Sequence, residues 1–141
     1  SEDPECDERI FVDPDNWDEN FTEQWKTQVL RQAQRYPNLP ISNNVKGVVS
    51  LYDVTDDWIP IYDKSDLPGF YMAIGTSGNQ FKNAPVAGVL MSELIEYCEN
   101  GNNHDTEPLT INLKYINKDI NLKFYSRNRQ INEESSMSVL G

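Results

Sequence analysis

Phe70-Tyr71-Met72-Ala73-Ile74-Gly75-Thr76-Ser77-Gly78-Asn79-Gln80-Phe81-Lys82-Asn83-Ala84-Pro85-Val86-Ala87-Gly88 is the stretch on which the fold turns. Its first five residues, Phe70 to Ile74, are apolar without alternation, the pattern of a strand covered on both faces. Asn83 then supplies a cap, and Pro85 is tolerated in a first helical turn because its missing N–H would be unpaired there anyway. Val86, Val89, Leu90, Leu94 and Tyr97 or Cys98 recur at helical spacing, which predicts a buried face, and Gly101 is a plausible terminator. The reading is strand, tight turn, helix.

Between strand and helix lies Gly75-Thr76-Ser77-Gly78-Asn79-Gln80-Phe81-Lys82. Glycines at 75 and 78 open backbone angles closed to other residues and let a ligand approach the main chain. Successive amides in such a turn, together with the free N–H groups of the following helix, favour an acceptor oxygen or a negative charge. Lys82 adds a full positive charge nearby. The physical expectation is a site for a carboxylate, a phosphate, or a carbonyl that gains charge during reaction.

Outward from this stretch, Val45 to Tyr62 reads as strands. Val49, Leu51 and Asp53 share one face, and Val48, Ser50 and Tyr52 the other. Asp56-Asp57 suits a turn, and Trp58 to Tyr62 a returning strand in which Pro60 limits pairing. A second turn runs through Asp66-Leu67-Pro68-Gly69. Further upstream, Phe21, Trp25, Val29, Ala33 and Tyr36 mark an amphipathic helix that Pro37 stops, with Asn20 and Glu23 placed as a capping box and Thr22 as a second candidate cap. Downstream, Leu109-Ile111-Leu113-Tyr115 and Ile120-Leu122-Phe124 alternate around Asn117-Lys118-Asp119, which predicts a hairpin. The expected fold class is α+β: two main helices with a small, mainly antiparallel sheet. Residues 1–20 form an acidic arm, 21–125 a single domain, and 126–141 a polar tail.

With 141 residues the chain has room for one modest core. Its net charge of -11 repels phosphate backbones and anionic lipid, and its Lys and Arg are scattered, so neither nucleic acid nor a membrane is an expected partner. No apolar run approaches membrane-spanning length, and cytoplasmic is the default compartment. Cys6 and Cys98 are too few for a zinc site of the usual kind, and a Cys6–Cys98 disulfide is the minority reading beside a core Cys98. Asp13-Pro14-Asp15-Asn16-Trp17-Asp18 fails the helix-loop-helix calcium pattern, because Trp17 replaces an oxygen ligand and no glycine follows. His104, the only histidine, reads as an exposed loop residue. Ser77 has no histidine and acid partners that would make it a nucleophile. Trp17, Trp25 and Trp58 read as packing residues.

Leu51-Tyr52-Asp53-Val54-Thr55-Asp56-Asp57-Trp58-Ile59-Pro60, followed by Gly69 to Gly88, resembles the C-terminal signature of the D-amino-acid oxidase superfamily, in particular its sarcosine oxidase, dimethylglycine dehydrogenase and glycine oxidase branch. The likeness covers about residues 45 to 98, with a fainter trace in Phe124-Tyr125-Ser126-Arg127-Asn128-Arg129. It implies that Phe70–Ile74 completes a flavin-binding sheet, and that Gly75, Thr76, Ser77, Gly78, Asn79, Gln80, Phe81 and Lys82 lie against the pyrimidine edge of FAD. It further implies that Lys82 pairs with a substrate carboxylate and that Tyr52 faces the substrate, a small amine or N-substituted amino acid oxidised at its C–N bond.

Two departures qualify this. Ser50 stands where relatives with covalently attached flavin carry cysteine, which implies non-covalent FAD. Asn79 stands where many relatives have histidine, and neutral Asn orients a ligand but does not titrate. A larger departure is that no G-x-G-x-x-G occurs in the chain, so the pyrophosphate-binding half of an FAD site must come from residues not present here. The expectation is therefore the C-terminal part of a flavoenzyme, inactive alone, whose partner is the remainder of the parent. The alternative is a non-catalytic interaction module that docks a separate flavin-bearing subunit. In either case a central-type strand outside its sheet leaves apolar faces and open edges, and self-association is expected.

Overall fold

The computed structural model describes residues 12–42, 44 and 46–135. The possible Cys6–Cys98 pairing and most of the acidic arm lie outside the described residues. Two units are distinguished, one ending at Leu51 and one beginning at Tyr52. The division falls inside the domain expected over 21–125, and residues 126–135 belong to the second unit.

The first unit holds α1 (Glu23–Ala33). Its cap is Thr22, the second of the two candidates: the Thr22 hydroxyl accepts from the Trp25 amide at 3.0 Å, as a capping side chain should. The helical period of Phe21, Trp25, Val29 and Ala33 is real, but the helix ends at Ala33, before Tyr36, which is exposed. Phe21 and Trp25 stack at 4.6 Å, and Gly47 lies close against both rings. The strand expected over Val48–Asp53 does not form. Those residues are mostly exposed and have no neighbouring strand among the described residues, and an alternating pattern cannot become a strand without a partner.

The second unit is α+β. Its elements are β1 (Ile61–Lys64), β2 (Tyr71–Ile74), a 3₁₀ turn (Gln80–Asn83), α2 (Ala84–Glu99), β3 (Thr110–Leu113), β4 (Lys118–Asn121) and a closing 3₁₀ turn (Leu122–Tyr125). β1 and β2 pair antiparallel from Ile61↔Ile74 to Lys64↔Tyr71, and β3 and β4 from Thr110↔Asn121 to Leu113↔Lys118. The returning strand thus begins after Pro60 and not at Trp58. The hairpin turn falls over residues 114–117, with Asn117 at φ 49, so Lys118 and Asp119 are strand residues. Asn is the residue type that tolerates that left-handed angle.

The core is small: Tyr62, Leu90, Leu94, Ile111 and Leu122 are buried, with Ala87, Met91, Cys98, Leu109, Ile120 and Tyr125 against them. This corrects the expected buried face of α2. Leu90, Leu94 and Cys98 belong to it, whereas Val86 and Val89 are 42% and 50% exposed. The strand expected to be covered on both faces is also corrected, since Phe70 and Ile74 are 54% and 45% exposed. The core covers the Leu90–Leu94–Cys98 side of α2 and leaves Val86 and Val89 outside it.

Candidate functional site

The turn between β2 and α2 takes its shape from backbone angles that most residues avoid. Gly75 has φ 70, Ser77 φ 50 and Gly78 φ 73. These values fold successive amides toward a common point, and that point is occupied by Asp53 of the same chain. The Asp53 carboxylate accepts the Gly75 amide at 2.8 Å and the Thr76 hydroxyl at 2.5 Å, while its carbonyl accepts the Ser77 amide at 3.1 Å. Burial works against the ionised carboxylate, but the Thr76 hydroxyl and the amides of Thr76 and Gly75 outweigh it and hold Asp53 below its ordinary value. The inner donors of the turn are thus taken up by a residue of the same chain.

That arrangement sorts the expected site residues. Gly75 and Ser77 are buried, and their amides are spent on Asp53, so they build the turn and present no amide outward. Thr76, Gly78, Phe81 and Lys82 are exposed, and Asn79 and Gln80 are half-buried and linked to each other at 2.5 Å. The 3₁₀ turn and α2 both begin without a side-chain cap from Asn79 or Asn83, so the donors at these two starts are left uncapped by their own Asn. Lys82 lies within the 3₁₀ turn directly before α2 and makes no ion pair among the described residues. Tyr52 is brought to the turn by tertiary folding and not by a strand: a Cβ at position 78 would stand 2.7 Å from its ring. An open cavity of about 430 Å³ adjoins the turn, lined by Asp53, Ile74 and Gly75 and by Arg127, Arg129 and Ile131 of the C-terminal stretch.

The polar C-terminal stretch is the part that residue patterns alone left as a tail. Its described residues, 126–135, contain no helix or strand, but they carry most of the buried charge pairing. Arg129 binds Asp57 through two hydrogen bonds, Nε–Oδ2 at 3.1 Å and Nη2–Oδ1 at 2.6 Å, and reaches the Ile59 carbonyl at 2.7 Å. Asp57 is buried, which alone raises its pKa; the Arg129 hydrogen bonds and the Asn132 and Ile59 amides reverse this and hold it down at about 2. Arg127 bridges Asp63, Asp66 and Asp105, with Lys64 also on Asp105 at 2.6 Å. Asp63, fully buried, further accepts the Lys64 amide, the Arg127 amide and the Ser126 hydroxyl.

His104 is not the exposed loop residue its Asn-rich surroundings predict. It is 1% exposed, its Nδ1 accepts the Leu109 amide at 3.2 Å, and its Nε2 lies 3.9 Å from Asp63 without a hydrogen bond. Burial pushes its pKa below the ordinary imidazole value, against the pull of Asp63 and Asp105. One signal for the pairs was present in the sequence. Asp57 and Asp63 flank the apolar run Trp58–Tyr62, and a carboxylate drawn in with such a run needs a cation from elsewhere.

No group able to hold a metal ion occurs among the described residues, and none of their helices is long and apolar enough to cross a membrane. Comparison of the chain with models of protein families, with curated proteins and with solved structures finds no match.

Proposed function

We propose that this chain is the C-terminal portion of a cytoplasmic FAD-dependent oxidoreductase that oxidises the C–N bond of a small amine or N-substituted amino acid, and that it is inactive without the rest of its parent. The observation that carries the reading is the turn itself: its inner donors close on Asp53, while its outer half carries the uncapped start of the 3₁₀ turn and an exposed lysine. Amides, helix dipole and ammonium suit the oxygen-rich pyrimidine edge of a flavin, where negative charge gathers on reduction. Bound FAD would supply the hydride acceptor. On this reading Gly78 to Lys82 meet the cofactor edge, Lys82 pairs with a substrate carboxylate, and the Tyr52 ring, lying against Gly78, borders the substrate. Asn79 orients without exchanging a proton.

The test uses the full-length parent. Purified, it should carry non-covalent flavin that is bleached anaerobically by an N-methyl amino acid, and Lys82→Ala should raise KM for carboxylate substrates roughly tenfold with a smaller change in kcat. A full-length product without flavin, or an unchanged KM, counts against the proposal.

A second reading, a non-catalytic module that docks a separate flavin-bearing subunit, is favoured by the apolar surface at Phe70, Ile74, Val86 and Val89, together with Phe81 at 96% exposure. Sedimentation at micromolar concentration should show self-association in that case; a clean monomer argues against it.

A further inference from the structure

We propose that Arg129 is a positioning residue for the Gly75–Lys82 turn, acting through Asp57 and Thr55. The inference rests on the reading above, in which that turn is a ligand-binding edge. The hydrogen bonds of Arg129 go to Asp57, Ile59 and Ser126, so its influence on the turn is indirect.

The relay can be followed atom by atom. Asp57 accepts both the guanidinium and the Asn132 amide (3.2 Å), and its carbonyl accepts the Ser135 hydroxyl. The Asp57 carboxylate also accepts the Ile59 amide at 3.1 Å; the Thr55 hydroxyl donates its one proton to the Ile59 carbonyl at 2.8 Å and lies 3.3 Å from the carboxylate, which it shares as a weaker acceptor. Residues 55–59 are thereby drawn into a closed loop in which Asp57 and Trp58 are buried and Trp58 is held at φ 60. A bulky residue keeps that angle only where its surroundings impose it. The fixed loop in turn sets the bed of the turn. A Cβ at position 75 would overlap the Thr55 methyl and lie 3.7 Å from Pro60 Cα, so Gly75 is seated directly on this loop. Asp53, just before it, holds the amides of Gly75 and Ser77. A shift of the loop by a few tenths of an ångström is passed to the turn, because Gly75 has no clearance in which to absorb it. The bidentate geometry matters more than the charge, since a lysine places one donor where Arg129 places two and a third on Ile59.

The test is amide hydrogen exchange read by NMR on this chain without flavin, comparing wild type with Arg129→Lys and Thr55→Val. The second variant keeps the Thr55 shape and removes only its hydroxyl. In both variants exchange at Gly75 and Ser77 should quicken about tenfold, while Leu90 and Leu94 in α2 stay within about twofold. The Gly75 amide resonance, expected downfield in wild type because it bonds a carboxylate, should move upfield. Equal acceleration at all four amides would mean that Arg129 only holds the fold together, and would overturn the proposal. Unchanged exchange at Gly75 and Ser77 would also overturn it. The measurement involves no cofactor, so absence of flavin from the parent would defeat the functional reading and leave this result standing.

Discussion

Asp57 is clamped by a guanidinium, whereas Asp53, in the same segment, is held by amides and a hydroxyl of the turn. The first carboxylate is buried and its partner carries a full opposite charge. The second is exposed and meets only dipoles. A largely buried charge pair loses its partner only at high energetic cost, so the Asp57–Arg129 contact is strongly held. A carboxylate held by amides at the surface is stabilised by much less. The molecule thus has a strongly held brace and, resting on it, a turn closed by weaker contacts of its own.

The comparison breaks most readily at the brace. Asp57→Ala leaves Arg129 buried without its carboxylate and strands the Ile59 and Asn132 amides, so a loss of about 3–5 kcal/mol is expected from urea unfolding. A loss below about 1 kcal/mol would show that the brace is not one. Acid should expose the same contribution. Asp57 stays ionised in the fold down to about 2 against an ordinary 3.8, so its stabilisation of roughly 2 kcal/mol is full above the higher value and fades as pH falls toward the lower one.

Next in size is Gly75→Ala, which forces a side chain into φ 70 and against the Thr55 methyl, for a loss of about 1–3 kcal/mol in thermal unfolding. An unchanged melting point would remove the steric link between turn and brace. His104 supplies a milder pH effect of its own. The unfolded imidazole takes up a proton near 6.5 and the folded one only at lower pH, so stability declines as pH falls through this interval. His104→Asn, which keeps an acceptor for the Leu109 amide, should abolish that decline and leave the deeper acid limb intact; persistence of the decline would assign it to another group. The smallest effect is expected for Asp53→Asn, about 1 kcal/mol or less, because the amide oxygen still accepts one bond and the site is exposed. A loss as large as that of Asp57→Ala would erase the distinction between the two carboxylates.

Much of the local architecture was legible from the chain alone. The helical periods of Phe21–Ala33 and Val86–Cys98, the Pro85 start and the hairpin alternation all mark real elements, because propensity and periodicity act over a few residues. The Asn20 capping box was the weaker competitor to Thr22, and Val48–Asp53 had a strand pattern without a strand to pair with. The tight turn is legible from Gly75 and Gly78, but its partner Asp53, which takes up the Gly75 and Ser77 amides, carries no local signal of that contact.

Sequence by itself determined the α+β class and the position of the strand–turn–helix unit, since these follow from local periodicity and backbone angles. Tertiary structure alone decided which apolar face of α2 is covered, that His104 is buried, and that Arg129 meets Asp57 across 72 residues. Such pairings depend on where distant segments come to rest, and a buried charge reveals its partner only when the chain has closed around both.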